Sequence, residues 1–247
     1  MSVNLQDYWE SINATTLFEK PDEEHPIRQL LMKHIPVTTN GQAIEIGCYP
    51  GTYLTVCGDL GYTLHGIDTY HDVHSLDATL KQAGYKTGGF YQIPFEKMHI
   101  TPTYNLVTSF GFLEHFDPFE PILEKHIQLM LPEGYIAIGA PNFGKGLQLL
   151  FHYLFDTPNL KRHYIRSMDL KAWTQYLKSQ GLNIQFADYC GGFQFWMNND
   201  QHPIQHFLGL QCIRLLKIIN KLFKGKLDQL NHPWLSCYFL IIAKKNK

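Results

Sequence analysis

The chain has 247 residues, 45% of them hydrophobic, 14% aromatic and 17% charged. This balance excludes global disorder and supplies enough apolar surface for one substantial core. With 21 Lys and Arg against 22 Asp and Glu, the formal net charge of −1 gives no overall field that would favour nucleic acid.

The five cysteines, Cys48, Cys57, Cys190, Cys212 and Cys237, are odd in number and lack the paired spacing of a zinc or redox site. The start, MSVNLQDYWE, lacks the basic-then-apolar order of a secretory signal, and runs such as 147–155 and 238–243 fall far below the ~20 residues of a membrane span. A cytoplasmic location is expected.

In chain order, residues 1–42 read as an N-terminal helical lid. Tyr8 and Trp9 offer an aromatic wall, and a helix opens at Pro26, carries Leu30, Leu31 and Ile35 on its apolar side, and stops at Pro36. Strands are predicted at 43–47, 63–67, 105–110, 135–140, 184–187 and 237–243, with helical stretches between them. Most of these runs lack polar alternation, which describes a largely parallel sheet covered on both faces. The last run follows a loop containing Pro233 and is expected to add antiparallel.

The segment Glu45-Ile46-Gly47-Cys48-Tyr49-Pro50-Gly51 places a carboxylate and two glycines between a buried strand and a helix. Glycine permits a tight turn and close ligand approach, and the helix start beyond it offers unpaired amide donors. Asp68 ends the second strand seventeen residues after Gly51, where a carboxylate can accept both ribose hydroxyls. A nicotinamide enzyme shares these features. Tyr49 interrupts the GxGxxG pattern, however, and no Tyr-x-x-x-Lys pair falls in a suitable helix, so a pyrophosphate cradle is disfavoured. Taken singly, the glycines mark only a turn and Asp68 only a helix cap or loop acid. Their order, followed by Glu114-His115, carries the ligand-site reading.

Together with Tyr104-Asn105-Leu106-Val107-Thr108-Ser109-Phe110-Gly111-Phe112-Leu113-Glu114-His115 and with Leu131-Pro132-Glu133-Gly134, these residues resemble the class I S-adenosylmethionine-dependent methyltransferases, in particular the small-molecule type 11/12 group. The resemblance spans roughly residues 25–190. It implies an α/β, doubly wound, Rossmann-like fold with a seven-stranded, mostly parallel sheet and a helical cover. One domain would fill 1–247, with a donor-binding core at 43–142, an acceptor cover at 143–180 and C-terminal strands and helix at 181–247.

By the same resemblance, S-adenosylmethionine is the cofactor, Glu45 organises the turn and the methionine end, and the backbone at Gly47, Cys48, Tyr49 and Gly51 passes close to the donor. Asp68 matches the ribose-binding acid, and Thr69 and Ser109 complete the site. The acid that commonly meets the adenine amino group is replaced by Gly89, leaving that contact to backbone or to Phe90.

Glu114 and His115 are the catalytic candidates, His115 as a general base because imidazole titrates near neutral pH. A structural role is the alternative. His71, His74, Asp72 and Asp77 fit a solvated loop, and no metal is assigned. The aromatic stretch 143–166 serves either an acceptor or packing. From 204 to 224, Phe207, Leu208, Leu215, Ile218, Ile219 and Leu222 interleave with Arg214, Lys217, Lys221 and Lys224. This is either a core helix with a solvated basic face or a peripheral contact with an anionic membrane.

The expected function is methyl transfer to a small-molecule, saccharide or lipid-precursor acceptor on oxygen. The alternative is a non-catalytic donor-binding or membrane-surface scaffold. An Asn-Pro-Pro-Tyr motif is missing where Ser109-Phe110-Gly111-Phe112 stands, which disfavours nucleobase or amide acceptors.

Overall fold

Seven strands pair in the order β3-β2-β1-β4-β5-β7-β6: β1 (Gln42–Ile46), β2 (Thr63–Asp68), β3 (Thr87–Gln92), β4 (Tyr104–Phe110), β5 (Met130–Pro141), β6 (Leu182–Cys190) and β7 (Tyr238–Lys245). The structure, a computed structural model, describes residues 18–70, 72–198 and 200–247, so Tyr8, Trp9 and His71 lie outside the described residues. Only β7 runs antiparallel to its neighbours, as the loop before it suggested.

The helices are α1 (Pro26–His34), α2 (Leu54–Asp59), α3 (Val73–Gln82), α4 (Glu120–Leu129), α5 (Gly146–Phe155), α6 (Thr157–Lys161), α7 (Leu170–Ser179) and α8 (Pro203–Leu222). Among the described residues no helix is long and apolar enough to cross a membrane.

Side chains alternate across a strand, so a strand buried on both faces reads as a continuous apolar run. Ile136, Ile138 and Ile241 face one core, closed by Leu123 and Ile127 of α4 and by Trp173 and Leu177 of α7. Ala137, Leu240 and Ile242 face the other, closed by Leu31 of α1, Leu54 and Val56 of α2 and Leu76 and Leu80 of α3.

Strand β3 is absent from the apolar runs because it carries Gly88 and Gly89. A Cβ on Gly88 would lie 2.1 Å from Cε1 of His65. The His65 ring takes that space, with Nδ1 accepting from the Gly89 N–H at 2.9 Å and Nε2 facing Gln42 Oε1 at 2.7 Å. The strand therefore gave up apolar side chains to seat an imidazole.

The chain leaves β1 toward β2 and β3, then crosses back to β4, so the switch in strand order falls between β1 and β4. Ligands of doubly wound sheets bind there, beyond the carboxyl ends of the strands.

Above that end, Asp156 ties the cover together. It is fully buried and meets Nδ1 of His152 at 3.2 Å, Nδ2 of Asn159 at 3.1 Å and Nε2 of Gln201 at 2.7 Å. Burial alone would raise its carboxyl, but these donors hold it below the ordinary value. Helix α7 packs against β6 and β7, so 170–179 belongs to the sheet-covering layer rather than to the cover expected over 143–180. Of α8, only Gly209 is buried, which removes the core-helix reading.

Candidate active site

The turn after β1 is fastened to β2. The N–H groups of Gly47 and Cys48 both donate to the Ile67 carbonyl, at 2.9 and 3.2 Å. Gly47 and Gly51 hold φ of 70° and 94°, a region that side chains disfavour. A Cβ on Gly51 would meet Leu76 Cδ1 at 2.5 Å, and one on Gly47 would meet the Phe112 ring at 3.0 Å. Both glycines are therefore dictated by backbone shape and by close neighbours.

Asp68 closes the turn from the β2 side. Its Oδ2 accepts the Tyr49 N–H and its Oδ1 the Tyr70 N–H, each at 3.0 Å. Each carboxylate oxygen keeps a further lone pair, and Asp68 lines the adjoining cavity. Burial raises its pKa above the ordinary value, against the pull of these amide bonds. The rings of Tyr49 and Tyr70 lie 4.2 Å apart beside it.

Glu45 is buried beneath the turn, where the Leu54 N–H at the start of α2 donates to its carboxylate. Its Oε2 has no hydrogen-bond partner among the described residues. Burial, reinforced by the negative charge of Asp68, pushes its pKa well up.

The cavity beside Asp68 has a volume of about 500 Å³, within the range of small-molecule sites. Of the residues singled out in the sequence, Gly47, Tyr49, Asp68, Thr69 and His115 line it. Gly51, Glu45, Cys48, Phe90, Ser109 and Glu114 do not. Gly51 and Glu45 shape the turn from behind. Cys48 and Phe90 pack in the core against Gly66. Ser109 is buried within β4, and Glu114 is buried next to His115.

Two stretches of wall escaped the sequence reading: Ile93-Pro94-Phe95-Glu96 after β3 and the aromatic residues Phe110, Phe112 and Phe116 around the end of β4. Glu96 is thus an acid at the wall beyond β3, where Gly89 left the expected position empty of charge. The available signal was the length of loop after a strand that itself went unread.

At the far part of this wall, His115 meets a side chain from the cover. Its ring lies 4.6 Å from that of His163. Nδ1 of His115 faces the Arg162 carbonyl at 3.2 Å and Nδ1 of His163 faces the Asn159 carbonyl at 2.7 Å. A carbonyl only accepts, so both rings carry the proton on Nδ1. Glu114, His115 and His163 offer ligand atoms within 4.8 Å of one another, a donor set that suits hydrogen-bond relay and that also has the chemistry of a metal ligand.

Burial pushes His115 down to about 3, with His163 adding to the effect, and lowers His163 to about 4. It lifts Glu114 to about 8. All three are uncharged at neutral pH.

This has a measurable sign. The folded chain keeps a proton on Glu114 that the unfolded chain releases near 4.5. Stability from this group is full below about 4.5 and is lost as pH rises through about 8. The lowered histidines act oppositely, but only below 6.5. Between pH 6.5 and 8 the loss is expected to be roughly 1–2 kcal/mol. Chemical denaturation across that window should show the decline flattened, though not abolished, in Glu114→Gln, since Glu45 contributes in the same direction. Equal declines in both proteins would mean that Glu114 does not titrate there.

A profile of the methyltransferase-domain family matches residues 21–185. The chain belongs to that family.

The fold agrees with solved structures. An S-adenosylmethionine-dependent methyltransferase from Archaeoglobus fulgidus is similar over 89% of this chain and 93% of its own, with a TM-score of 0.56 at 18% identity. Phosphoethanolamine N-methyltransferase 2 of Haemonchus contortus, solved with S-adenosyl-L-methionine, covers 99% of this chain with 58% of its own length, at a TM-score of 0.60 and 13% identity. N-methyltransferase NodS of Bradyrhizobium japonicum covers 90% of this chain and 95% of its own, at 0.52 and 11%. No curated protein matches in sequence.

The residues at the switch point fit S-adenosylmethionine, the ligand with which the Haemonchus contortus structure was solved. A glycine turn without room for a Cβ borders the cavity, the Asp68 carboxylate lines it, and a buried carboxylate oxygen of Glu45, without a partner among the described residues, lies beneath.

Proposed function

We propose that this methyltransferase holds its donor between the glycine turn and Asp68 and methylates an oxygen of a small-molecule, saccharide or lipid-precursor acceptor. Asp68 would accept the ribose hydroxyls, the backbone from Gly47 to Gly51 would pass along the donor, and Glu45 would set the turn and the methionine end. Thr69 and Glu96 border the same space from β2 and from beyond β3. When bound, the donor supplies a methyl carbon that is already electrophilic, so the protein's task is positional: alignment at near-attack distance with water excluded.

The observation that carries the oxygen assignment is the neutral His115 in a wall of Phe95, Phe110, Phe112 and Phe116. The Nδ1–H of His115 is engaged by the Arg162 carbonyl, which fixes the ring at this wall, and an uncharged polar side chain there suits a neutral hydroxyl acceptor. A group pushed to about 3 is a weak base, so orientation rather than full proton abstraction is the role its surroundings support. The aromatic wall supports an acceptor with an apolar body, and His163 brings the cover into contact with that end. In this reading residues 43–142 carry the donor and the segment after β5 covers the acceptor. The cysteines are unbridged, which supports a reducing cytoplasmic setting.

The test is transfer of a labelled methyl group to matched panels of alcohols, phenols and amines. Hydroxyl compounds should be labelled in preference. His115→Ala is expected to lower kcat by about 10- to 100-fold while leaving donor affinity unchanged. Preferential labelling of amines would overturn the oxygen assignment, and an unchanged kcat would remove His115 from the reaction.

A further inference from the structure

We propose that the outer face of α8 docks on an anionic lipid bilayer, bringing the cover of the methyl-transfer site to the membrane surface. Over the helix, Gly209 alone is buried, seated against Met197 and Phe155. Ile204, Phe207, Leu208, Leu215, Ile218 and Leu222 are between 48% and 76% exposed. At 3.6 residues per turn these six fall within one arc of about 100°. Single exposed apolar side chains are ordinary on a protein surface, but a contiguous stripe marks an interaction face.

The neighbouring cover also exposes apolar side chains. Gln205 Nε2 donates to the Leu154 carbonyl at 3.2 Å, setting the first turn of α8 beside the end of α5. There Leu150, Tyr153 and Leu154 are 46%, 66% and 45% exposed. At the other end of α5 the Leu147 N–H donates to the carbonyl of Trp234, itself 60% exposed. Tryptophan and tyrosine favour the boundary between water and lipid.

Charge selects the occupant. Arg214, Lys217 and Lys221 follow one edge of the apolar arc, Lys224 and Lys226 continue it, and neither Asp nor Glu occurs from residue 201 to 227. A two-fold pairing of this face with a second copy would set these cations against themselves with no acid on the helix to offset them. An anionic headgroup layer neutralises the cations while the acyl boundary takes the apolar arc.

The active site lies behind the same cover, since His163 follows α6 and stacks on His115. That the acceptor is delivered from the bilayer rests on the proposed function; the docking itself does not.

Sedimentation of the full chain with phosphatidylcholine vesicles, with and without about 30% phosphatidylserine, tests the docking. Binding is expected on the anionic vesicles and about tenfold weaker on neutral vesicles or at high salt. Leu215→Ser with Ile218→Ser, and separately Lys217→Glu with Lys221→Glu, should each weaken it about tenfold while leaving melting temperature and S-adenosylhomocysteine affinity unchanged. Asp68→Ala should bind vesicles as the parent does, so a failed donor site and a failed docking face give different results. The proposal is overturned if the parent stays in solution with anionic vesicles, if the charge-reversed variant binds as well as the parent, or if the chain forms a dimer that the serine variant dissolves without any vesicle binding.

Discussion

Asp68→Ala is expected to weaken S-adenosylhomocysteine binding by about 100-fold or more while the chain stays folded. The carboxylate does two jobs at once. It receives the N–H groups of Tyr49 and Tyr70, fixing the glycine turn against the end of β2, and it turns its remaining lone pairs toward the cavity. Alanine leaves both amides without their acceptor and removes the group proposed for the ribose hydroxyls. Hydrogen bonds to a charged acceptor are worth roughly 1.5–3 kcal/mol each, so losing two toward the ligand alone spans about 100-fold upward. Asp68→Asn should fall between, because its amide nitrogen must face one of the two backbone donors. Calorimetric titration reads the affinity, and a thermal melt separates lost binding from lost structure. Parent-like affinity in the alanine variant would take Asp68 out of the donor site.

The largest effect on stability is expected from Trp173→Ala. Trp173 is fully buried on α7, with its ring 6.1 Å from Phe119 and 5.0 Å from Phe239. It therefore joins α7 to the antiparallel strand β7 and to the residue preceding α4. Truncating a buried tryptophan leaves a cavity and costs about 3–5 kcal/mol. In a chain of this size that lowers Tm by roughly 10 °C. Trp173→Phe should lose much less, because Nε1 has no hydrogen-bond partner among the described residues and only volume is given up. A fall of under about 2 °C in the alanine variant would show that this core layer does not hold the sheet.

How far the chain could be read before folding follows from what each element demands of its residues. Strands β1, β4 and β7 are buried on both faces, so their sequences are largely apolar without regular polar alternation, with Glu45, Thr108 and Ser109 buried among them. Strand β3 was invisible because His65 lies across it and requires glycine at Gly88. The turn from Gly47 to Gly51 was legible because a positive φ and a crowded Cβ position leave few alternatives to glycine. Asp68 was legible because it ends a recognisable strand.

The cavity wall was not. Phe95, Phe112 and Phe116 sit in loops without a periodic pattern, and their common destination depends on where two crossovers end. The meeting of His115 with His163 joins residues 48 apart through the fold of the cover, which no local pattern encodes. Cys48 and Phe90 show the converse: Cys48 lies in the turn and Phe90 on β3, yet both side chains pack into the core against Gly66. For α8 the sequence allowed either burial or a surface role, since apolar residues at helical spacing suit both. The structure leaves six of them in solvent.

The most direct measurement of the central claim is a calorimetric titration of the purified chain with S-adenosylmethionine, S-adenosylhomocysteine and NADH. Saturable micromolar binding of both sulfur ligands, with no heat from NADH, is the predicted result. Binding of NADH, or of neither sulfur ligand, would contradict a donor site built on the glycine turn and Asp68.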